Sequence, residues 1–179
     1  MLIKTIFSGF GGQGVLSMGH TLASAAMLEG KYVTYFPSYG AEVRGGTANC
    51  TVSIADEEIA SPVASEPDFV VSMNQPSFQR FQSVVQSGGL LLVNSSMVNT
   101  STVRGDIEII EIPTSELAEE LGNLRSANMV MLGAFVKTSR LISFSLLLKR
   151  LTSILGARKA RLLEVNKKAL ECGFNYVKG

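Results

Sequence analysis

The chain has 179 residues, of which 46% are hydrophobic and 17% charged, with a formal net charge of +1. One domain of this size, spanning 1–179, can bury a substantial core, and a charged fraction below the roughly 25% usual for soluble domains leaves apolar surface to hide, part of it against partner subunits. A charge near zero speaks against nucleic acid or an anionic membrane as partner, and the longest apolar stretches, such as Met129 to Val136, are far too short to span a bilayer.

Met1-Leu2-Ile3-Lys4 has no signal-peptide layout and runs straight into a strand, so a cytoplasmic location is expected. Leu2 to Phe7 is the first predicted strand, and it opens into a glycine-dense turn, Gly9-Phe10-Gly11-Gly12-Gln13-Gly14. Gln13 to Leu28 is helical by the apolar spacing of Val15, Met18, Leu22, Ala25, Ala26 and Leu28, and Gly30 is a good stop. Lys31 to Phe36 is β-branched and aromatic, hence a second strand. Such a strand–turn–helix–strand unit is normally a right-handed crossover in a parallel sheet. A long loop follows from Pro37 to Gly46, its backbone freed by glycine. The two glycine-rich loops are expected to lie close together at one end of the sheet.

Thr47 to Ala55 alternates, with Ala48, Cys50, Val52 and Ile54 on one side and Asn49, Thr51 and Ser53 on the other. A polar face predicts an antiparallel or edge position, so the sheet should be mixed. Asp68 to Met73 is a core strand, and Pro76 suits the start of a helix over Ser77 to Gln86. Leu90 to Val93 is apolar throughout, which predicts a strand buried on both faces. Asn94 to Thr102 is a polar loop, Ile107 to Ile112 a strand, and Thr114 the cap of a short helix that Gly122 ends. The rest is helical: Ala127 to Thr138, buried; Phe144 to Leu155, capped by Ser143; and Lys159 to Cys172, with Leu162, Leu163, Val165, Ala169 and Leu170 as its apolar stripe and Glu164–Lys168 one turn apart. Strands alternating with helices give a three-layer α/β/α domain with a mixed, largely parallel sheet and a Rossmann-like start.

Gly9, Gly11 and Gly14 have the G-x-G-x-x-G spacing between a strand and a helix. Glycines there let the turn close and let a phosphate approach the helix N-terminus. Two observations speak against a dinucleotide. The end of the second strand, Pro37-Ser38-Tyr39, offers no carboxylate for ribose hydroxyls, and Gln13 fills space the pyrophosphate would need. A bound anion at Gly11, Gly12 and Gln13, and a purely structural turn, both remain open. No Gly-Lys-Ser or Gly-Lys-Thr follows a glycine run. The one histidine, His20, sits inside a helix with no nucleophile placed beside it. Cys50 and Cys172, the only cysteines, are far apart. A cluster or structural zinc needs about four close ligands, so both read as reduced thiols, and neither a catalytic residue nor a metal ligand is assigned.

With Gly9-Phe10-Gly11-Gly12-Gln13-Gly14-Val15 and Ser38-Tyr39-Gly40-Ala41-Glu42-Val43-Arg44-Gly45-Gly46-Thr47-Ala48-Asn49, the chain resembles the gamma subunit of the 2-oxoacid:ferredoxin oxidoreductases. Asp56-Glu57-Glu58-Ile59, Ser61-Pro62, Met73-Asn74-Gln75 and Asn128-Met129-Val130-Met131-Leu132-Gly133-Ala134 extend the likeness over essentially the whole chain. The resemblance implies the fold of domain III of pyruvate:ferredoxin oxidoreductase. It implies a complex that decarboxylates a 2-oxoacid oxidatively, attaches the acyl group to coenzyme A and passes two electrons to ferredoxin. Thiamine diphosphate and iron–sulfur clusters would sit on the alpha, beta and ferredoxin-like delta subunits, and this chain alone would be inactive. A homodimer of the isolated subunit and an anaerobic setting are further expectations. Ser38, Tyr39, Gly40, Glu42, Arg44, Gly45, Gly46 and Asn49 are the candidate interface, and Gly11, Gly12 and Gln13 the candidate site for a coenzyme A phosphate. The loop leans toward 2-oxoglutarate or branched-chain 2-oxoacids. The alternatives are a free-standing nucleotide-binding oxidoreductase and a ligand-free scaffold module.

Overall fold

The computed structural model describes residues 1–39, 47–101, 104–156 and 159–178. β1 (Leu2–Phe10), α1 (Val15–Leu28), β2 (Tyr32–Tyr39) and β3 (Thr47–Ala55) come first in the chain. Next are β4 (Phe69–Ser72), α2 (Gln75–Phe81), β5 (Leu90–Asn94), β6 (Glu108–Ile112) and α3 (Thr114–Glu120). The chain closes with α4 (Ala127–Ser139), α5 (Phe144–Leu155) and α6 (Ala160–Tyr176). Short 3-10 turns sit at Gln82–Val84 and Leu124–Ser126.

The strands form one six-stranded sheet in the order β2-β3-β1-β4-β5-β6. β3 pairs antiparallel with both β1 and β2, and β1, β4, β5 and β6 run parallel. The mixed sheet expected from the alternation in β3 is present, and the structure adds two details. β1 and β2 are not neighbours, because β3 lies between them. β3 is not an edge, and its polar side is not in solvent: Thr51 and Ser53 are buried, and no partner reaches the Ser53 hydroxyl within the described residues. Alternation had reported the antiparallel pairing correctly. It missed the burial because hydroxyl-bearing side chains are small enough to sit under a covering segment, and Lys4 Nζ reaches across this face to the Val63 carbonyl at 2.7 Å.

Helices cover the two faces unequally. On one face Phe7, Cys50, Val52, Val71 and Leu92 join α1, α3, α4, α5 and α6 in the main core. On the other, Ile6, Val70, Leu91 and Val93 pack against Phe78 of α2 with Val85 and Val98. Each fully buried large side chain contributes roughly 2–3 kcal/mol of transfer free energy, so the main core dominates. α4 is its centre. Every residue from Ala127 to Val136 is buried, and Phe135 meets Phe7 and Phe69 edge-on at 5.2 and 5.6 Å. A helix apolar on all sides is one covered on all sides, here by the sheet below and α6 above.

Helix ends follow local chemistry, with differences. Asn74 caps α2 by accepting from the Ser77 amide at 2.9 Å, and α2 ends at Phe81 rather than Gln86 because the chain tightens into a 3-10 turn. Ser143 caps α5 through the Leu146 amide at 3.3 Å. Gly30 and Gly122 take the left-handed conformation after α1 and α3, at φ 77° in both. Thr114 is not the cap of α3: Pro113 holds that position, and the buried Thr114 hydroxyl has no partner among the described residues. α6 runs four residues past Cys172, to Tyr176, because Phe174 packs on Phe144 at 4.2 Å. Leu162, assigned to the buried stripe, is 42% exposed, whereas Ala169 and Leu170 are buried. The Glu164–Lys168 pair is present at 3.1 Å.

Candidate functional site

The chain leaves β1 toward α1 and β2 on one side, and leaves β4 toward α2 and β5 on the other. The ends of β1 and β4 therefore form the switch point at which open α/β sheets bind ligands. The glycine turn stands there. β1 extends to Phe10, so Gly9 is a strand residue, and a Cβ on it would lie 2.7 Å from Gln13 Oε1 and 2.8 Å from Val15 Cγ1. Gly12 and Gly14 have φ of 98° and 74°, the left-handed region open to glycine.

Gln13 is the hub of this turn. Its Oε1 accepts from the Phe10 amide at 2.7 Å and from Asn74 Nδ2 at 2.8 Å, and its Nε2 donates to the Met73 carbonyl at 3.3 Å. The carboxamide thus ties β1 to the end of β4 across the switch crevice. Asn94 continues the row, donating to the Met73 carbonyl at 3.4 Å and to Ser115 Oγ at 2.9 Å. From the other side Asn128 of α4 donates to the Gly14 carbonyl at 3.3 Å. Three sequence motifs far apart in the chain (the glycine turn, Met73-Asn74-Gln75 and the segment from Asn128) converge on one point. The sequence placed Gln13 at the turn and led to the expectation that it fills the space of a pyrophosphate. It held no signal that Asn74 and Asn128 are what Gln13 and the turn lean on.

The N-terminus of α1 has no side-chain cap at Gly14, so its first-turn amides lack intrahelical partners. A depression of about 360 Å³ lies over Gly11, Gly12, Gly14 and Ser17. Gln13 does not line this depression: its carboxamide is turned into the crevice and its backbone amide donates to the Phe10 carbonyl at 3.1 Å.

Ser38, Tyr39 and Asn49 lie at the same end of the sheet. Ser38 is register partner of Asn49, Tyr39 of Ala48, and Phe10 of Thr47, so the strand ends carrying both glycine-rich loops stand side by side. Ser38 is exposed and Asn49 half-buried. Gly40, Glu42, Arg44, Gly45 and Gly46 lie outside the described residues.

Two further cavities flank the turn. One, of about 670 Å³, opens over Gln13 and Met73 between the loop after β5, helix α3 and the 3-10 turn at Leu124. The other, of about 490 Å³, is lined by His20, Tyr35, Arg125, Asn128 and Leu162. His20 is exposed on α1, with its ring edge-on to Tyr35 at 5.9 Å. Burial pushes the Cys50 thiol up to about 12, so it stays protonated at neutral pH. Burial first, and the Glu120 carboxylate second, raise Cys172 as well. Among the described residues no three His, Cys, Asp or Glu side chains gather to hold a metal ion, and no helix is long and apolar enough to cross a membrane.

Comparison with known proteins adds to this geometry. Residues 4–176 match the family described as pyruvate ferredoxin/flavodoxin oxidoreductase. The ketoisovalerate oxidoreductase subunit VorA of Methanothermobacter thermautotrophicus is 36% identical over 176 residues, which cover 98% of this chain and 36% of VorA. The 2-oxoglutarate synthase subunit KorC of Methanocaldococcus jannaschii is 36% identical over 139 residues, 76% of this chain and 74% of KorC. The gamma subunit of a keto/oxoacid ferredoxin oxidoreductase from Geobacter sulfurreducens superimposes with a TM-score of 0.83 at 30% identity, covering 97% of this chain and 96% of that subunit. The chain therefore spans about a third of VorA and nearly all of a separate gamma subunit.

Proposed function

We propose, for a chain that belongs to the pyruvate ferredoxin/flavodoxin oxidoreductase family, that it is the gamma subunit of a 2-oxoacid:ferredoxin oxidoreductase in the cytoplasm. The observation that carries this reading is one of extent: the chain matches 96% of a separate gamma subunit with one continuous α/β fold. Its alpha, beta and ferredoxin-like partners carry thiamine diphosphate and the iron–sulfur clusters, and together they turn a 2-oxoacid and coenzyme A into acyl-coenzyme A while ferredoxin takes the electrons. The loop leans toward 2-oxoglutarate or branched-chain 2-oxoacids, and the ketoisovalerate and 2-oxoglutarate subunits are each 36% identical to this chain against 32% for a pyruvate synthase subunit. This chain supplies no acid, base or nucleophile in our reading. Its part is to complete the assembly.

The surface that does so is the sheet end at Ser38, Tyr39 and Asn49 with the loop through Gly40, Glu42, Arg44, Gly45 and Gly46. Charge reversal of Arg44 in the co-expressed complex is expected to lower both assembly and turnover, and unchanged values of both would remove this loop from the interface. Coenzyme A, if it touches this chain, does so through a phosphate at the turn Gly11, Gly12 and Gln13 that leads into α1, where the uncapped first-turn amides of α1 and the helix dipole favour an anion. The deciding experiment is copurification. A tagged chain co-expressed with its alpha, beta and delta partners should yield a complex that reduces ferredoxin in a 2-oxoacid- and coenzyme A-dependent manner. A chain that elutes alone, while its partners turn over fully without it, would end this reading. A nicotinamide enzyme is disfavoured because the end of β2, Pro37-Ser38-Tyr39, offers no carboxylate for ribose hydroxyls, and calorimetric titration with NAD should show no heat of binding.

A further inference from the structure

The cavity of about 490 Å³ lies among α1, α4, α5 and α6. Leu16, Met129, Leu151 and Leu155 give it an apolar wall, in which Met129 and Leu151 are buried. Set into that wall are Thr21 and His20 of α1, Arg125 of the 3-10 turn, Asn128 of α4 and Asn166 of α6. No Asp or Glu is among the lining residues. An apolar wall carrying a few polar groups, at a volume between roughly 300 and 1,000 Å³, is the make-up of a small-molecule site.

These polar groups are short of partners. Thr21 is 5% exposed, yet no hydrogen bond among the described residues engages its hydroxyl. Asn128, 8% exposed, spends one N–H on the Gly14 carbonyl at 3.3 Å, and within the same residues its other N–H and its carbonyl oxygen are unpaired. The half-buried Asn166 carboxamide makes no hydrogen bond there either. The Arg125 backbone amide donates to Asn123 Oδ1 at 3.2 Å, while its guanidinium has no hydrogen bond or ion pair among the described residues. Arg125 also borders the larger cleft with Glu116 and Glu119 and pairs with neither. Polar groups in a largely buried wall cost free energy until something bonds them. Most of what this set offers is N–H and O–H, so the ligand that satisfies it is rich in acceptors.

We infer that this cavity binds a small aliphatic monocarboxylate, its carboxylate held by Arg125 and the free N–H groups of Asn128 and Asn166, its hydrocarbon chain along Leu16, Leu151 and Leu155. Arg125 is the one side chain of the lining with a permanent positive charge, which balances a single negative charge and not a phosphate dianion. A planar guanidinium also takes the two oxygens of a carboxylate side by side. The apolar wall accepts a hydrocarbon body and disfavours a second ionised group. The site is separate from the turn at Gly11, Gly12 and Gln13, none of which lines the cavity, and it stands whether or not the chain assembles as a subunit.

Calorimetric titration of the 179-residue chain with octanoate tests the assignment. Octanoate should bind at a single site. Octan-1-ol and octylamine, which keep the hydrocarbon and lose or invert the charge, should bind at least about 10-fold more weakly. Arg125→Gln should weaken octanoate binding about 10-fold or more, with the melting temperature unchanged because Arg125 is exposed. Arg125 borders two cavities, so the deciding variant is Asn166→Asp, which places a carboxylate in this one alone and should weaken binding by about the same factor. Four results would each overturn the site: no octanoate binding by the wild-type chain, equal binding of octanoate and octan-1-ol, displacement of octanoate by an equal concentration of inorganic phosphate, or wild-type affinity in either variant.

Discussion

At the crossing of α4 and α6, glycine is required because two backbones touch; at the turn between β1 and α1, it is required because one backbone bends left-handed. A Cβ on Gly133 would run into the Leu170 carbonyl, and one on Gly173 into the Val130 carbonyl. The two glycines face opposite helices, so the crossing is closed from both sides and nothing flexible can yield. In the turn the demands are graded. Gly14 combines φ 74° with the Asn128 carboxamide where a Cβ would go, whereas Gly12 has φ 98° and open space around it. The glycine-rich motif that draws attention in the sequence is thus the more forgiving region, and the unremarked glycines of the last helices are the rigid one.

The largest expected effect breaks the crossing. Gly133→Ala and Gly173→Ala should each cost about 3 kcal/mol, the upper range for overpacking, because the obstacle is backbone. Urea unfolding of the purified chain would measure it. A cost within the range of an ordinary surface substitution would mean that α6 is not seated on α4 as described. The penalty should be lower, about 2 kcal/mol, for Gly14→Ala, where strain in the left-handed region adds to a side-chain obstacle that can partly withdraw.

Gln13→Ala tests whether the turn is held by its hub. Removing the carboxamide strips a partner from the Phe10 amide, Asn74 and the Met73 carbonyl together, and about 2 kcal/mol should be lost, since the abandoned groups are partly buried. Gly12→Ala should cost only about 1 kcal/mol, from backbone strain alone. Its larger consequence belongs to whatever binds there: if the open space over Gly12 is a contact for a ligand or subunit, Gly12→Ala will lower assembly or turnover more than stability.

Much of the fold was legible because local chemistry decides it. Gly30, Gly122 and Ser143 mark helix ends wherever the helices pack, and the apolar run Leu90 to Val93 declares a strand covered on both faces. Strand order was not legible. The insertion of β3 between β1 and β2 depends on how a hairpin folds back, and alternation in β3 reports pairing direction rather than what lies over the polar side. That Gln13 belongs to the glycine turn could be read from its position after Gly12. Its partner Asn74 lies 61 residues away and Asn128 lies 114 residues from Gly14, separations at which no periodicity carries information. The cleft over Gln13 and Met73 was invisible for the same reason, since Met73, Met97, Glu116 and Leu124 come from separate elements.

The smallest effect concerns reactivity rather than stability, and it probes how α1 sits on the sheet. Gly19 of α1 lies so close to β3 that its Cβ would meet Cys50 Sγ, and that thiol donates to the Val15 carbonyl at 3.6 Å. Burial pushes Cys50 up to about 12, an effect that hydrogen bonds at Gly19 and Tyr35 only partly offset. At pH 8 its thiolate is then scarce, against roughly one in four for a free cysteine. Iodoacetamide should therefore modify the half-buried Cys172 of the native chain and spare Cys50, while the urea-unfolded chain takes label at both positions. Raising the pH to 9 should not change the native pattern, because the thiolate of Cys50 remains scarce and the α1–β3 contact keeps the reagent out. Equal labelling of both cysteines in the native chain would mean that α1 is not pressed onto β3 at Gly19. The glycine turn that leads into α1 would then lose the fixed helix against which Gln13 and Asn128 hold it.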